Sequence, residues 1–556
     1  MSEEHSSGNH PQAAPKAEVV AVDGGPAAPS KNALKKAAKE KEKAEKAAKR
    51  AEEERKQKEA AAASDTAKHL YGKAPEDYIA KEETPLKALT EELIGKQVTL
   101  TARVHNARIQ SAKLGFLHLR KGVYDIQAVI AEAVDSGDGS VSRQMVKWCS
   151  GISTESIVLV TALVQKPLEP VKSARISELE LHIQRCYLVA EAPEKTPILI
   201  KDADSAVGET DAEENKSAIT VDLNTRLDNR VLDLRTALNH AIFSVNHKIE
   251  RLFQEFMHKE GFRKSETPKL LGAATEGGAS VFPVTYFGRT AYLAQSPQFY
   301  KEMLIAADWE RVYEIGPVFR AENSNTTRHL TEFTGLDFEM ELTPYSKEGW
   351  QQVVRMAEDM VLYIFRHLPE EAKSEIDEIR KHYPAAGDFK LPEGRPPRIK
   401  FSEGIALLRE AGHEAKDDED ISTTNEKALG DIIRSKYSSD FFTMTHYPVA
   451  ARPFYTHLDP TNPSYTHSYD GFVRGQEIVS GAQRVHDYNT LRERMKSLGV
   501  NPDDTGYKDY LEAFKQACPP HGGAGFGLNR MTMLYLGLPN VRLATLFPRD
   551  PQRIVP

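Results

Sequence analysis

Cysteine is scarce in this chain. Among 556 residues there are three, Cys149, Cys186 and Cys518. They lie far apart and form no CxxC pair. That argues against a disulfide framework and a structural zinc site, and fits a reducing compartment. Long apolar runs are missing as well. No stretch approaches the ~18 apolar residues of a membrane span, so none is expected. The opening "MSEEHSSGNHPQ" is acidic and polar and does not read as a secretory signal. There is no GxxxxGK[ST] loop, and no GxGxxG between a strand and a helix. Positive charge is not in excess either. The formal net charge is −8, so bulk charge alone does not suggest a nucleic-acid partner. What remains is an ordinary soluble composition, 40% hydrophobic and 28% charged. The length suits about 2–4 domains whose cores need no cross-links.

The distribution of charge says more than the sum. Residues 1–30 are rich in Ala, Pro, Gly and Ser and are expected to be disordered. The next stretch, to about residue 64, is almost pure Ala, Lys, Glu and Arg, all strong helix formers. Lys31, Lys35, Lys39, Lys43, Lys46 and Arg50 recur every three or four residues and would form one basic stripe. No apolar face backs it. Two readings stand: a solvated helical spacer held by Glu–Lys pairs, or a sequence-independent grip on phosphates. From about 95 to 190 the chain is β-rich, with four or five strands and one short helix near Ser142–Cys149. A five-stranded OB-fold barrel fits, and such a strand face commonly binds single-stranded nucleic acid. Phe116 and Gln127 would offer a ring and an amide there, although strand phenylalanines are usually core. Residues 196–230 are acidic. A long helix is then expected from "LNTRLDNRVLDLR" through "ALNHAIFSVNHKIERLFQEFMHKEGF". Strands and helices mix afterwards without βαβ alternation, which points to an α+β domain with an antiparallel sheet. The segment 342–440 reads as a helical insertion.

Three segments carry chemistry. "VFRAENSNTTRHLTEF" joins two strand-like runs through a charged loop. Arg320 emerges at a strand end, and its planar fork matches phosphate or carboxylate. Glu322 could be its salt-bridge partner, but that leaves Arg328, His329 and "NSNTT" unexplained. "YDGFVRGQEIVSGAQRVHD" holds Asp470, Glu477, Ser480 and Arg484, with small residues between them. This is either a surface ion-pair network or a set of hard carboxylates suited to Mg²⁺ on phosphates. "PPHGGAGFGLNRMTMLYLG" reads as a glycine-rich turn opening a helix near Leu528, a place for an anion, with Arg530 in the first helical turn.

Taken in order, "GFRKSETPKL", "FRAE…RHLTEF" and "GFGLNR" resemble the three signature motifs of class II aminoacyl-tRNA synthetases. From about residue 85 to Pro556 the chain is similar to the aspartyl enzymes of subclass IIb from the eukaryotic cytosol. The lysine-rich arm resembles the helix appended to such enzymes. The resemblance implies four regions: an extension, 1–68, whose Lys31, Lys35, Lys39 and Lys43 touch tRNA; an anticodon-binding OB-fold, 85–195; a hinge, 196–230; and a catalytic domain, 231–556. It implies ATP held by Phe319 (stacked on adenine), Arg320 (α-phosphate), Glu322, Arg328, His329, Leu330, Glu477, Gly527, Leu528, Asn529 and Arg530 (γ-phosphate). Arg320, Glu322 and Arg530 would be the catalytic set, and Asp470 and Glu477 would hold Mg²⁺. "LAQSPQFYK" matches the aspartyl pattern QSPQxxK. Lys301 and Arg484 would then neutralise the aspartate side chain, with Glu276, Ser296, Gln298, Asp337, Glu339, Ser480 and Gly481 completing the pocket and Arg320 reaching it. Arg108, Phe116, Gln127 and, more weakly, Glu180 would meet anticodon bases, which reverses the core reading of Phe116. The implied partners are tRNA-Asp, L-aspartate and a second copy of the chain through the Pro268 segment, with neither DNA nor membrane, in the cytoplasm. Two positions depart from the family pattern: Asn529 and Gln476 stand where acids are common. An asparaginyl enzyme is the nearest rival, and Lys301 argues against it because an amide needs no ammonium partner. A catalytically dead RNA-binding paralogue is a second rival, opposed by Arg320, Glu322, Glu477 and Arg530.

Overall fold

The computed structural model describes residues 65, 67–133, 140–204, 221–275 and 280–556, with Lys49 and Glu52. The expectations for the lysine stripe, for Glu276 and for much of 196–230 lie outside the described residues. Among those described, no helix is long and apolar enough to cross a membrane. The chain divides into two compact units that part between Ala192 and Pro193, with Lys121–Tyr124 counted in the second.

The first unit is a barrel. Its strands are β1 (Tyr71–Gly72), β2 (Gln97–Ser111), β3 (Leu114–Lys121), β4 (Tyr124–Ala131), β5 (Ile157–Gln165) and β6 (Glu180–Ala190). They run in the order β1-β6-β4-β3-β2-β5, and β5 also pairs with β6, so the five longer strands close on themselves. Closure removes the exposed edges a small sheet would otherwise carry. Alternation along β3 sends Leu117 and Leu119 into the core and leaves Phe116 and His118 outside it. The residue-level preference for a core Phe116 is therefore overturned by strand parity. Helix α1 (Arg143–Ser150) is capped by Ser142, which accepts from the Met145 N–H, and it buries Met145, Val146 and Cys149 in the same core.

The second unit is built on one large sheet. The expected continuous helix is broken: Leu223–Asp228 and Arg230–Asp233 are short, and Thr236 caps a fresh start for α2 (Ala237–Lys259) by accepting from Asn239 N–H. Strand β7 (Arg263–Lys264) follows, then a small three-stranded sheet of β8 (Leu270–Leu271), β9 (Pro283–Tyr286) and β10 (Arg289–Leu293). Next come α3 (Gln298–Ala306), β11 (Arg311–Phe319), β12 (Glu332–Glu341), α4 (Gln351–Glu371), β13 (Arg398–Lys400), α5 (Thr423–Tyr437), β14 (Phe441–Thr445), β15 (Ser468–Val473) and β16 (Gln476–Gln483). Toward the C-terminal end lie α6 (Lys508–Lys515), β17 (His521–Gly527) and α7 (Leu528–Tyr535). The large sheet has the order β13-β14-β15-β16-β17-β12-β11-β7. Its inner six strands are antiparallel, and the edge strands β13 and β7 pair in parallel. Ile242, Ile249 and Phe253 of α2 share one core with Val354, Val361 and Phe365 of α4 and with Phe338 and Phe526 of the sheet. Part of the 342–440 segment thus belongs to the main packing.

"HGGAGFG" is not a turn, as its glycines suggested, but the central strand β17. A Cβ on Gly523 would lie 2.1 Å from the Phe338 carbonyl oxygen and 2.2 Å from a Glu339 carboxylate oxygen. The strand lacks side chains because the neighbouring strand fills that space with acids. Helix α7 starts at Leu528 directly after it, as expected.

Candidate active site

One cavity of about 410 Å³ opens on the sheet of the second unit. It gathers residues from segments some 200 positions apart in sequence. Gln298 and Lys301 come from the buried face of α3. Arg320, Glu322, Arg328, His329 and Leu330 come from the loop between β11 and β12. Asp337 comes from β12, and Glu477, Ser480, Gly481 and Arg484 from β16 and its end. Gly527, Asn529 and Arg530 come from the junction of β17 and α7, and Ser296 also lines the wall.

The floor is a buried charge cluster. Lys301 Nζ lies 3.0 Å from Asp337 Oδ1 and 3.3 Å from Glu339 Oε2. Arg484 Nε donates to Glu339 Oε1 at 3.0 Å. Burial works to raise the Glu339 carboxyl, but Arg484 and then Lys301 outweigh it and hold it below the ordinary carboxylate range. Two cations and two anions are thus held side by side with little water. The Arg484 guanidinium has more donors than Glu339 takes up, so a ligand carboxylate that entered could pair with it while Lys301 adds positive charge beside it.

The other end is rich in arginine. The Arg320 guanidinium lies 5.7 Å from the centre of the Phe333 ring. Arg530 Nη1 donates to the Glu477 carbonyl at 3.1 Å, and its Nη2 donates to the Arg328 carbonyl at 3.2 Å. Arg328 Nη1 donates to Glu426 Oε2 on α5 at 2.6 Å. Burial and then the charges of Arg530 and Arg328 depress the proton affinity of His329. Glu477 behaves in the opposite sense: burial, then the neighbouring Asp470, pushes its carboxyl up to about 7.

A bulge aims Glu477. Asp470 pairs with Ser480 and Gly471 with Val479, but Phe472 pairs with Glu477, one residue out of step. Without that extra residue, strand parity would turn Glu477 away from Ser480 and Arg484. Gly481 lines the cavity, yet what excludes a side chain there is the Tyr469 ring at 2.5 Å and the Gly523 carbonyl at 2.7 Å. Packing within the sheet demands this glycine, not a ligand's approach.

Four predicted residues stand outside the lining. Glu339 is wholly buried beneath it, paired with Lys301 and Arg484. Phe319 lies on the opposite face of β11 from Val318 and Arg320, and it is Phe333, the cross-strand partner of Val318, that presents a ring to the cavity. Asp470 is buried behind the wall, bonded by Arg452 Nη2, while its Oδ1 has no hydrogen-bond partner. Leu528 belongs to the core. Asn529 is consumed by the fold: its Oδ1 accepts from the Thr334 N–H at 3.0 Å and its Nδ2 donates to the Ala544 carbonyl at 3.0 Å. A carboxylate could not make the second bond. Sequence reasoning missed Arg452, Phe333, Tyr455 and Glu426. Phe333 was findable by pairing strands across the loop. Arg452, which donates to Ser480 Oγ at 3.0 Å, sits in "AARPFY" with no spacing to single it out.

On the barrel, Arg108, Phe116, Gln127 and Glu180 fall on four successive strands, β2, β3, β4 and β6. The Arg108 guanidinium lies 5.0 Å from the Phe116 ring centre, and the two are cross-strand partners. Gln127 and Glu180 are partners too, with Gln127 Nε2 donating to Glu180 Oε2 at 3.3 Å. The four make one row of polar and aromatic groups across the outer face.

Comparison with known proteins agrees with this geometry. The family described as tRNA synthetases class II (D, K and N) matches residues 222–551. The cytoplasmic aspartate–tRNA ligase of Rattus norvegicus is 44% identical over 501 residues, covering 89% of this chain and 96% of that one. A solved aspartyl-tRNA synthetase from Entamoeba histolytica is 38% identical with a TM-score of 0.75, covering 88% of this chain and 96% of that one. An asparaginyl-tRNA synthetase from Pyrococcus horikoshii, solved with asparaginyl-adenylate, is 28% identical with a TM-score of 0.73, covering 85% and 100%. The arginine-rich cavity over an antiparallel sheet and the cationic floor beneath it therefore sit in a known frame: the chain belongs to the class II aminoacyl-tRNA synthetases, in the aspartate–tRNA ligase family.

Proposed function

We propose that the chain joins L-aspartate to tRNA-Asp in two steps. In the first, an oxygen of the aspartate α-carboxylate attacks the α-phosphorus of ATP, the bond to the β-phosphate bridge breaks, and pyrophosphate leaves. In the second, a terminal ribose hydroxyl of the tRNA attacks the aspartyl-adenylate carbonyl and AMP leaves. The observation that carries the substrate choice is the floor: Lys301 and Arg484 are both buried, and both are within reach of an entering side-chain carboxylate. Asparagine would offer these donors one acceptor oxygen and turn an NH₂ donor toward them with the other.

The other side chains follow from position. Phe333 offers the ring for a flat base, in place of Phe319, and Arg320 beside it is placed for the α-phosphate. Arg328 and Arg530 suit the distal phosphates, His329 borders them, and Glu322 is assigned to the adenine end. No covalent enzyme intermediate is needed. Orientation and fixed positive charge supply the catalysis. Mg²⁺ fits the carboxylates present. Glu477 faces the cavity, and the unpartnered Oδ1 of Asp470 lies behind it. One or two carboxylates, with phosphates and water, are what this ion usually takes. When bound, it would offset phosphate charge. The row Arg108, Phe116, Gln127 and Glu180 suits unpaired bases of an anticodon loop, which can be splayed and stacked. On this reading residues 85–195 are the anticodon module, 196–230 the hinge and 231–556 the catalytic domain. Two copies associate through the Pro268 segment, in the cytoplasm where the named relatives work.

The likeness to an asparaginyl enzyme defines the test. Pyrophosphate exchange is measured with aspartate and with asparagine. Exchange driven by aspartate alone is expected, and exchange driven by asparagine would overturn the assignment.

A further inference from the structure

Behind the cavity floor lies a second buried polar cluster that the two steps above do not use. Glu302 sits one helical turn after Gln298 on α3, so both point the same way. Its Oε1 accepts from Gln298 Nε2. Its Oε2 accepts from the Tyr510 hydroxyl at 3.1 Å and from His521 Nε2 at 3.3 Å. Glu302 and His521 are both 0% exposed. The other nitrogen of His521, Nδ1, donates to the Pro519 carbonyl at 2.7 Å, with Cys518 Sγ 3.6 Å away. A carbonyl on one side and a carboxylate on the other make both ring nitrogens donors, so the imidazole is a cation. Burial opposes that charge, and the contacts with Cys518 and Glu302 outweigh it, raising the ring to about 10.

A carboxylate is an acceptor only. It therefore holds the Gln298 amide one way round, NH₂ toward Glu302 and Oε1 away from it. The reverse orientation would set an oxygen against an oxygen where no water can separate them. Gln298 lines the cavity. Aspartate carries two carboxylates and one ammonium, and the ammonium is its sole strong donor. We propose that Glu302 is a positioning residue of the amino-acid pocket, locking Gln298 so that its amide oxygen accepts from the substrate's α-ammonium group. His521 makes this possible without adding net negative charge beside Asp337 and Glu339. Glu302 and His521 neutralise each other, as the floor cations and anions do. The proposal rests on the aspartate reading of the cavity.

The experiment measures pyrophosphate exchange for the full chain, with KM for aspartate and KM for ATP determined separately and folding checked by thermal unfolding. Glu302→Ala should raise KM for aspartate about 10-fold or more and leave KM for ATP unchanged, as expected for loss of a charge-assisted contact in one subsite. Glu302→Gln should rescue most of this. Its amide oxygen can still accept from Gln298, and its NH₂ can donate to a neutral His521. Gln298→Ala should raise KM for aspartate by a similar factor, and Glu302→Ala should add nothing on top of it. Glu302→Asp keeps the charge beside His521 but withdraws the carboxylate from Gln298, so it should raise KM for aspartate even if the alanine variant does not fold. Unchanged KM for aspartate in Glu302→Asp and Glu302→Ala, with Gln298→Ala impaired, would overturn the positioning role and spare the pocket. Additive effects, or a matching rise in KM for ATP, would also overturn it. Unchanged KM in Gln298→Ala would overturn the pocket reading of that residue, and the positioning role with it.

Discussion

On the proposed reading, activation turns on Arg320. It leaves the end of β11 with a flat, five-donor group beside the Phe333 ring, where a nucleotide's base and α-phosphate would lie together. Lysine keeps the charge and loses the fork. Arg320→Lys should lower kcat/KM for aspartate-dependent pyrophosphate exchange by about 10²–10³, with the unfolding midpoint within a degree or two of wild type. Near-normal exchange would show that a point charge suffices. His521 supports a prediction about pH. Its folded-state value, about 10, lies above the ordinary histidine value of 6.5. The stabilisation it contributes is therefore complete below about pH 6.5 and is lost as pH rises through 10. The unfolding midpoint of the ligand-free chain should fall between pH 7 and 10, and fall less in Glu302→Gln, where no anion favours the charged ring. Superimposable profiles would exclude the pair as the cause. At this scale the sequence picked out Lys301, Arg484 and Arg530 as members of one site, and the cavity brings the three together. The sequence was not legible where direction decides. Phe319 and Phe333 are both aromatic and both near Arg320, and only strand parity tells them apart.

Elements were read well where a polar cap or the onset of an apolar run marks their start. Ser142 and the run into Leu528 placed α1 and α7 correctly. Thr236, an equally good cap, lay inside what looked like one long helical pattern, and the break before α2 was missed. The larger error concerned β17. Glycine is poor in strands because it has no side chain to pack, so "HGGAGFG" read as a turn. Inside this sheet the preference is reversed by neighbours: Asp337 and Glu339 of β12 occupy the space that side chains of β17 would need. The chemistry of the pocket thus dictates the composition of the adjacent strand. Gly523→Ala tests this. Its Cβ would meet the Phe338 carbonyl oxygen at 2.1 Å, a backbone atom that cannot rotate away. The variant should lose about 3 kcal/mol or more, read as a fall in soluble yield and unfolding midpoint. Gly527→Ala, whose Cβ would meet only Arg530 Cβ at 3.6 Å, should shift the midpoint far less. Equal effects would mean that strand flexibility, not crowding, explains the glycines.

Over the whole molecule, charge is sorted rather than summed. The chain is negative by 8, yet residues 31–58 hold twelve Lys and Arg against six Glu, counted along the sequence. The proposed chemistry rests on the cavity and the proposed base contacts on the barrel row, and neither calls on this stretch. A locally positive segment in a net-negative chain has one plain use toward a polyanion: it adds phosphate contacts that displace counterions, regardless of base sequence. Such contacts strengthen binding most at low salt and fade as screening shortens their range. Deleting residues 1–68 should therefore leave aspartate-dependent pyrophosphate exchange unchanged, because no side chain of the cavity is removed. The same deletion should weaken binding of tRNA-Asp at low ionic strength and flatten the dependence of log Kd on log salt. Both follow from titrations of the two proteins at a series of salt concentrations. The spacer reading makes the opposite forecast, equal affinity and equal slope. A change in affinity that persists undiminished at high salt would fit neither, since it would require contacts that screening does not reach.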